Sequence, residues 1–431
     1  MRALLMTVLM TALAVPALAQ TGTITGRVID ARTEQPLRGV VITIDGQSLF
    51  TETDADGRFT MTVTPGSYDL SAALVGYALL RQPVTVAAFS PLTLDIRLAE
   101  GAGAFEERVT VVGTSTTTTE QGAGATTLHG RELQMLRGVT MDDPLRSAQA
   151  LPAVSAPDDF HGEFAIRGLP FRQLALTVDN LPTRYLMHSV HGVSDGGSIA
   201  MLNGDAVGSL SVSPGAHAQR TGNHLGGQVD VGMREGDRQR TRARGGLSGT
   251  SAALTVEGPF AQGKGSWLVS GRRSYVDWLL KRIDADSDLA FAYSDVETKL
   301  VFDATPRHRF ELLAIGGRSL FEESEENLGP NDERTVGGRS WLTGVSWRFA
   351  PSARWSFTQR IYSTGLKYEN TNITGEVLDD HLASDLGVRS EAAFVAAPWA
   401  MVEAGGEFQH ITGRHARDRA LNDARTLTAL A

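Results

Sequence analysis

Apolar and polar residues alternate with a period of two along much of this chain. The alternation is clearest over residues 341–349, 355–361 and 400–408, where every second side chain, Gln359 excepted, is apolar or small. A half-buried strand produces this pattern, whereas an amphipathic helix repeats every 3.6 residues. The chain is therefore predicted to be mainly β.

Residues 1–19 have the pattern of a secretory signal peptide. Arg2 supplies a positive charge, residues 3–13 are mostly apolar, and residues 17–19 form an A-x-A cleavage site. This apolar run is too short to span a bilayer, and no other run approaches the ~20 apolar residues that a spanning helix needs. We therefore expect an exported chain that could enter a membrane only through strands.

Composition narrows the function. The formal net charge of −9 argues against nucleic acid as a partner. The chain has no cysteine, which excludes disulfides and thiolate chemistry.

Residues 20–100 contain short alternating runs separated by turn signals such as Asp56-Gly57 and Pro65-Gly66. Their motifs follow in the order GRVID, PLRGVVITI, TDADGRF, PGSYDL and GY, the last at Gly76-Tyr77. This order resembles the carboxypeptidase regulatory-like domain. The resemblance implies a prealbumin-like β-sandwich.

The acidic run that begins at Asp54 raises the question of a calcium site. An EF-hand loop starting there would need glycine at its sixth position and glutamate at its twelfth. Those positions hold Phe59 and Pro65. We interpret the run as a β-turn, a common use of Asp and Gly.

Residues 101–127 are rich in glycine and threonine, which predicts a linker. The linker contains a short extended run made of Glu107, Arg108, Val109, Thr110, Val111 and Val112. An exposed β-prone segment with flexible flanks can pair with a partner through its backbone. The run resembles a Ton box, which implies capture by the TonB energy-transducing complex. The alternative is that it forms the first strand of the next domain.

Residues 128–236 mix helix and strand signals. Short helices are predicted over residues 130–136 and 142–150, with Thr140 or Asp142 near the start of the second. Strands are predicted over residues 174–179, 207–213 and 228–231. An α+β domain is therefore expected here.

Several motifs of this segment resemble the plug domain of TonB-dependent outer-membrane transporters. The residues that carry the resemblance are Ile166, Arg167, Gly168, Asp179, Pro182, Gly215, Gly226 and Gly227. The glycines are expected where backbone segments pack closely. The chain departs from the family at Ala153 and Asn180, where glycine is usual.

Charged and histidine residues of the plug segment have two interpretations each. Glu163, Arg167 and Asp179 could form ion pairs with a surrounding barrel wall, or they could be ordinary surface charges. Five histidines fall in this segment: His161, His188, His191, His217 and His224. The spacing of the second and third occurs in metal sites, but no third ligand is placed. Solvated loop histidines are therefore expected, with no metal and no cofactor.

Residues 237–431 combine alternation, aromatic residues near strand ends and polar connections, which is typical of a transmembrane β-barrel. At roughly 20 residues per strand and connection, about eight to ten antiparallel strands fit. Plugged transporters use about 22 strands, and a barrel of eight is filled by its own side chains. We therefore expect a partial barrel, and a sequence that is an N-terminal fragment of a longer protein.

The resemblance implies a TonB-dependent receptor for energy-coupled uptake of a scarce substrate, such as a siderophore, cobalamin or oligosaccharide, gated by the plug. The implied partners are the TonB complex, outer-membrane lipid and a small-molecule or oligosaccharide substrate. The implied location is the outer membrane of a Gram-negative-type envelope, with the N-terminal domain and Ton-box-like run in the periplasm. The alternative is an outer-membrane binding or signalling receptor without transport.

A metallocarboxypeptidase is a third interpretation, because such enzymes carry a domain similar to residues 20–100. The H-x-x-E motif is formed by His308 and Glu311, on a predicted strand and without a clear third ligand. We therefore do not expect an enzyme.

Overall fold

The computed structural model describes most of the chain beyond the predicted signal peptide. The described residues are 22–31, 34–44, 49–74, 77, 80–87, 91–98, 106–107, 120–121, 125–136, 142–156, 162–188, 199–215, 222, 224–283, 289–323, 328–352, 354–397, 400–421 and 424–430. Among these, no helix has both the length and the apolar character needed to cross a bilayer. Residues 108–112 of the Ton-box-like run lie outside the described residues.

Two sheets of short strands form the N-terminal β-sandwich. The strands are β1 (Gly22–Asp30), β2 (Val41–Ile44), β3 (Phe50–Glu52), β4 (Arg58–Val63), β5 (Gly66–Ala73), β6 (Leu80–Val86), β7 (Leu92–Leu98) and β8 (Glu106–Glu107). One sheet has the order β4-β1-β7 and the other β3-β2-β5-β6-β8. Alternate side chains of β4 are buried, and they join Ile24, Ile42, Leu70 and Ile96 in one core. The predicted sandwich is confirmed.

The acidic run before β4 is a β-turn, as predicted. The Asp54 Oδ1 atom accepts hydrogen bonds from the backbone N–H groups of Asp56 at 2.9 Å and Arg58 at 2.8 Å. Gly57 has a φ of 71°, which a side chain would disfavour. The carboxylate of Asp54 therefore serves the backbone of the turn.

The following domain, which we call the plug, is built on a six-stranded mixed sheet of order β14-β13-β18-β17-β10-β9. Its elements are β9 (Glu120–Gln121), β10 (Ala125–His129), α1 (Gly130–Leu136), a 3₁₀ helix (Pro144–Ala150), β11 (Val154–Ser155), β12 (Ala165–Ile166), a 3₁₀ helix (Phe171–Gln173), β13 (Ala175–Val178), β14 (Leu181–Pro182), β15 (Met187–His188), β16 (Ile199–Ala200), β17 (Val207–Ser213) and β18 (Gln228–Met233). β8, β9 and the start of β10 lie within the segment predicted as a linker, and β8 contains Glu107 of the Ton-box-like run.

The second predicted helix of the plug differs in type and start. It is a 3₁₀ helix, and its N-cap is Asp143, neither Thr140 nor Asp142. Pro144 explains the start, because proline has no N–H and its fixed φ suits the first helical position. The preceding side chain then caps the helix, with Asp143 Oδ1 accepting from the Leu145 N–H at 2.9 Å.

The C-terminal part is one ten-stranded antiparallel sheet, which we call the wall. Its elements are β19 (Arg242–Leu247), β20 (Ser251–Phe260), a 3₁₀ helix (Ala261–Gly263), β21 (Gly265–Ser274), α2 (Val276–Ile283), β22 (Leu289–Thr305), β23 (His308–Glu323), β24 (Thr335–Ser352), β25 (Trp355–Thr371), β26 (Val377–Ala397), β27 (Ala400–Leu421) and β28 (Ala424–Leu430). Each strand pairs with its neighbour in sequence. Most exceed the roughly 9–11 residues that a membrane-spanning strand needs.

The two faces of the wall have opposite character, as the alternation predicts. Large apolar side chains are exposed on the outer face: Leu254, Val269, Val296, Leu300, Phe310, Leu312, Val345, Trp347, Trp355, Phe357, Ile361, Leu386, Val388, Val402 and Phe408. On the inner face Leu268, Leu313, Ile315 and Leu342 join the core of the plug. The fold class is confirmed: a β-sandwich, an α+β plug and part of an antiparallel β-barrel.

Aromatic rings on the outer face gather at one end of the wall, which we call the short-turn end because only two residues separate β22 from β23 and β24 from β25 there. The ring of His308 lies 4.5 Å from that of Phe349, and the ring of Trp355 lies 4.3 Å from that of Phe394, measured between centroids. Aromatic girdles at the membrane interface are a property of transmembrane barrels.

Candidate functional site: the plug–wall interface

The glycines of the plug motifs lie at close backbone approaches. Ile166 is fully buried, and a β-carbon placed on Gly227 would lie 3.1 Å from its Cδ1 atom. A β-carbon on Gly226 would lie 2.6 Å from the Leu174 Cδ2 atom. The limiting contact at Gly227 is the Ser213 carbonyl oxygen, 2.5 Å from the same β-carbon, and this backbone atom excludes a larger residue, as the sequence predicts. At Gly226 the Leu174 side chain would have to move.

Left-handed backbone occurs at three other motif positions, Arg167, Gly168 and Asp179. Asp179 and Asn180 have φ values of 50° and 62°, which places them in the two-residue turn between β13 and β14 that Pro182 closes. Arg167 has a φ of 51° and is followed by Gly168 at 80°. A β-carbon on Gly215 would lie 3.4 Å from the Arg167 Nη1 atom.

Ala153 also adopts the left-handed conformation, with a φ of 67°. Its carbonyl accepts a hydrogen bond from the Arg167 N–H at 2.9 Å, so the strained turn supports the motif strand. This is a position where the resembling family usually has glycine. Alanine costs roughly 1–2 kcal/mol there.

Asp179 joins the plug to the wall. It is buried, and its Oδ2 atom lies 2.7 Å from the Nζ atom of Lys299 on β22. Its Oδ1 atom accepts from the Met233 N–H at 2.9 Å, while Lys299 donates to the Met233 carbonyl at 3.0 Å. The ion-pair interpretation is therefore correct for Asp179. Arg167 is exposed and Glu163 is half-buried.

Lys299 is one of three consecutive inward-facing charged residues on β22. Asp295, Glu297 and Lys299 are all buried, and they alternate with Val296 and Leu300 on the outer face. Glu297 Oε1 accepts from the backbone N–H of plug residue Asn203 at 2.6 Å. Buried charges need partners of this kind. These residues were not predicted, although the charged, period-two pattern D-V-E-T-K indicates them.

Arg272 on β21 is the most heavily engaged side chain at the interface. Its guanidinium pairs with Asp295 at 2.5 Å and lies 5.1 Å from the ring centroid of Tyr293. It also donates to two backbone carbonyls of the plug, those of Asp142 and Ala200. One fully buried wall side chain therefore holds two separate segments of the plug. It also was not predicted.

His188 corrects the expectation of solvated loop histidines. The short strand β15 carries it to the wall, where it is buried, its Nε2 atom bonds Asp295 and its ring lies 5.1 Å from that of Tyr293. The reason is the pairing of β15 with β16, which fixes this segment against β23 and β24. His224 is half-buried, with its Nδ1 atom 3.1 Å from the Gly222 carbonyl.

His161, His191 and His217 lie outside the described residues. Within the part of the chain that the structure describes, no three His, Cys, Asp or Glu side chains are grouped as metal ligands.

Asp143 stabilises the plug next to the contact between Arg272 and Ala200. Its Oδ2 atom accepts from the Ala200 N–H at 2.9 Å, which ties the 3₁₀ helix to β16. Burial raises the pKa of this carboxyl group, although the bond from Ala200 and the charge of Arg272 act in the opposite direction.

A second charged cluster lies where the chain passes from the plug to the wall. The buried carboxylate of Glu235 bonds Arg309 and lies 3.3 Å from Arg238, which in turn pairs with Asp303 at 2.6 Å. Burial alone would raise the pKa of Glu235. The charges of Arg309, Lys299 and Arg238 outweigh it, and they hold this pKa below its usual value.

The H-x-x-E motif is not arranged as a metal site. His308 stacks on Phe349 on the outer face of the wall, whereas Glu311 bonds Arg309 at 2.7 Å on the inner face. Residues three apart on a strand point to opposite faces. The two side chains therefore cannot share a metal ion.

Comparison with known proteins agrees with this architecture. The carboxypeptidase regulatory-like domain family matches residues 23–99. No curated protein sequence matches the chain. The solved structures named below are described as transporters or as a receptor.

Three solved structures illustrate the likeness. The outer-membrane transporter YddB from Escherichia coli aligns with a TM-score of 0.53 at 11% identity, over 73% of this chain and 51% of its own. A mutant of the ferric enterobactin receptor PfeA from Pseudomonas aeruginosa gives 0.51 at 16% identity, over 72% and 51%. The unliganded ferric citrate transporter FecA gives 0.50 at 18% identity, over 72% and 49%.

The chain thus spans about half the length of these structures. At such identities the likeness describes the fold. This chain joins a carboxypeptidase regulatory-like domain to the plug-and-barrel fold of TonB-dependent outer-membrane receptors.

Proposed function

We propose that this protein is a TonB-dependent outer-membrane receptor that takes up a scarce small molecule or oligosaccharide, with the plug as its gate. The observation that carries the proposal is the buried polar network that joins the plug to the wall through Arg272, Asp295 and His188. In the proposed mechanism substrate binds from outside, the plug rearranges, and TonB pulls on residues 107–112.

A buried polar network suits a plug that must be held and then released. Exposing apolar surface to water costs free energy. Charged groups offset part of the cost of their separation, because they regain hydration. Asp295, Lys299 and Asp179 would each regain water as the plug leaves the wall. The network can therefore fix one position of the plug without making its departure prohibitively unfavourable.

The same proposal assigns the orientation of the wall in the outer membrane. Barrels in outer membranes have short periplasmic turns and longer external loops. Two residues separate β22 from β23 and β24 from β25, whereas 14 residues separate β21 from β22 and 11 separate β23 from β24. We place the short-turn end in the periplasm, together with the β-sandwich, and the exposed apolar outer face in outer-membrane lipid.

The test of TonB capture is site-specific photocrosslinking in outer membranes. A crosslinker at Val109 or Val111 should capture TonB, because a segment that adds to TonB as a strand presents both positions. The control position is Thr93, exposed on β7 of the sandwich. Absence of TonB adducts along residues 105–113 would remove the Ton-box assignment. Capture without TonB-dependent uptake of any substrate would favour a binding or signalling receptor.

A further inference from the structure

The β-sandwich touches the wall through Tyr77, the tyrosine of its G-Y motif. This side chain is buried, and its hydroxyl donates to Asp30 Oδ2 at 2.7 Å. The same hydroxyl accepts a hydrogen bond from Nη1 of Arg348 on β24 at 3.2 Å. The Arg348 guanidinium carbon also lies 5.7 Å from the Tyr77 ring centroid, within the range of a cation–π contact.

Arg348 belongs to the inner face of the wall. It has the same strand parity as Leu342, which is buried in the core of the plug, and Gly344, which approaches the plug side chain Leu181. It lies at the short-turn end of β24. Arg348 and Ser346 line a small cavity whose other walls include Arg309 and the plug residue Asp179. The sandwich therefore meets the wall at the inner mouth, below the point where the plug is attached.

We propose that the carboxypeptidase regulatory-like domain is a latch, docked by Tyr77 and Arg348 across the inner mouth of the barrel and closing the cavity beneath Asp179. The docking itself follows from the contacts described above. Its role in gating rests on the proposed function, since anything that passes the plug must leave through this mouth.

The chemistry of the contact suits a latch that opens. Arg348 makes one hydrogen bond and one cation–π contact with Tyr77, and its five N–H donors can bond water once the two side chains separate. Asp30 remains with the sandwich and holds the Tyr77 hydroxyl in place. Undocking therefore leaves the aspartate–tyrosine pair of the sandwich intact.

The test uses the absence of native cysteine. Ser346→Cys introduces one thiol into the cavity, and its rate of maleimide labelling is measured in isolated outer membranes. Tyr77→Phe keeps the ring in the sandwich core and removes the hydroxyl that Arg348 contacts. The matched control is Tyr68→Phe, because the Tyr68 hydroxyl bonds Thr64 within the sandwich.

We expect Tyr77→Phe to accelerate labelling about tenfold, which corresponds to ~1.4 kcal/mol of lost docking free energy. Arg348→Ala should act in the same direction, and Tyr68→Phe should leave the rate unchanged. Unchanged labelling in both Tyr77→Phe and Arg348→Ala would overturn the proposal.

A second measurement does not depend on removing a contact. A photocrosslinker at Ser346 should form adducts with residues of the 20–100 domain in the same chain, identified by mass spectrometry. Adducts to the plug and wall alone would overturn the docking. Neither experiment requires substrate or TonB, so the latch can fail while TonB still crosslinks at Val109.

Discussion

The core of the β-sandwich is made of its own strands, whereas the core of the plug continues into the inner face of the wall. The contrast extends to charge. Around the sandwich core the carboxylate of Asp30 is satisfied within the domain by Tyr77. At the plug, Asp179, His188 and Asn203 are satisfied by residues of the wall. The sandwich therefore has a core of its own, whereas the plug shares its core with the wall.

The largest effect in this comparison is expected for Lys299→Met. The substitution leaves the buried carboxylate of Asp179 without its cation, and breaking a buried pair costs about 3–5 kcal/mol. The free energy of unfolding of the plug should fall by this amount, measured as protection of the plug from protease across a urea series. The sandwich should be unaffected.

The control for that prediction is Lys367→Met, at an exposed position of β25. Adding Asp179→Asn to Lys299→Met should recover part of the loss, because it removes the unpaired charge. An equal loss from Lys299→Met and Lys367→Met would show that the Asp179 pair does not hold the plug.

Ile42→Ala tests the other side of the comparison. Ile42 is fully buried in the sandwich core, and such truncations cost about 2–5 kcal/mol. The sandwich should unfold at lower urea, while protease protection of the plug stays unchanged. A parallel loss of plug protection would contradict the independence of the two cores. Thr93→Ala, at an exposed position, is the control.

Ala153→Gly should stabilise the plug by about 1 kcal/mol. Glycine relieves the left-handed strain at a φ of 67°, and part of that gain is offset by the greater freedom of the unfolded chain. Ala165→Gly in the extended strand β12 should have the opposite sign, with a loss of about 0.5–1 kcal/mol. For both variants the free energy of unfolding of the plug is measured by the urea series. A loss of stability in Ala153→Gly would contradict the backbone strain inferred at this position.

The smallest effect concerns pH and Glu235. Because the folded state lowers the pKa of this carboxyl group, its contribution is fully present above about pH 4.5 and is lost as the pH falls through the lower folded value. The stability difference between the wild type and Glu235→Gln should therefore shrink between about pH 6 and pH 3. Glu323→Gln, at an exposed carboxylate, should show no such trend. If the stability difference between the wild type and Glu235→Gln grew as the pH fell, the lowered pKa of Glu235 would be contradicted.

The fold was largely predictable because its signals are local. Period-two alternation identified the outer face of the wall over residues 341–349 and 355–361, and turn residues delimited the strands of the sandwich. The glycines at 226 and 227 were also predictable, since the need for a missing side chain is a property of the position itself. The start of the second plug helix was not, because Pro144 shifted the cap by one residue.

The candidate site was less predictable because its partners are far apart in sequence. Asp179 was recognised as a candidate for pairing, but Lys299 is 120 positions away and only the sheet register brings the two together. His188 was expected in solvent because nothing near it in the sequence indicates Asp295. Arg272 was not predicted for a similar reason. Its neighbour Arg273 is the same residue type but is exposed, and only the position along the strand decides which of the two side chains is buried.

That pair of neighbouring arginines provides the most direct test of the central claim, that buried wall charges hold the plug. Thr183 of the plug is buried, with its hydroxyl 2.8 Å from that of Thr364 on the wall, so Thr183→Cys reports any separation of the two. The measurement is its maleimide labelling rate in outer membranes, with Arg272→Ala or Arg273→Ala added. We predict that Arg272→Ala raises the rate about a hundredfold or more, as the loss of ~3 kcal/mol implies, while Arg273→Ala leaves it unchanged. Equal rates in the two variants would contradict the account.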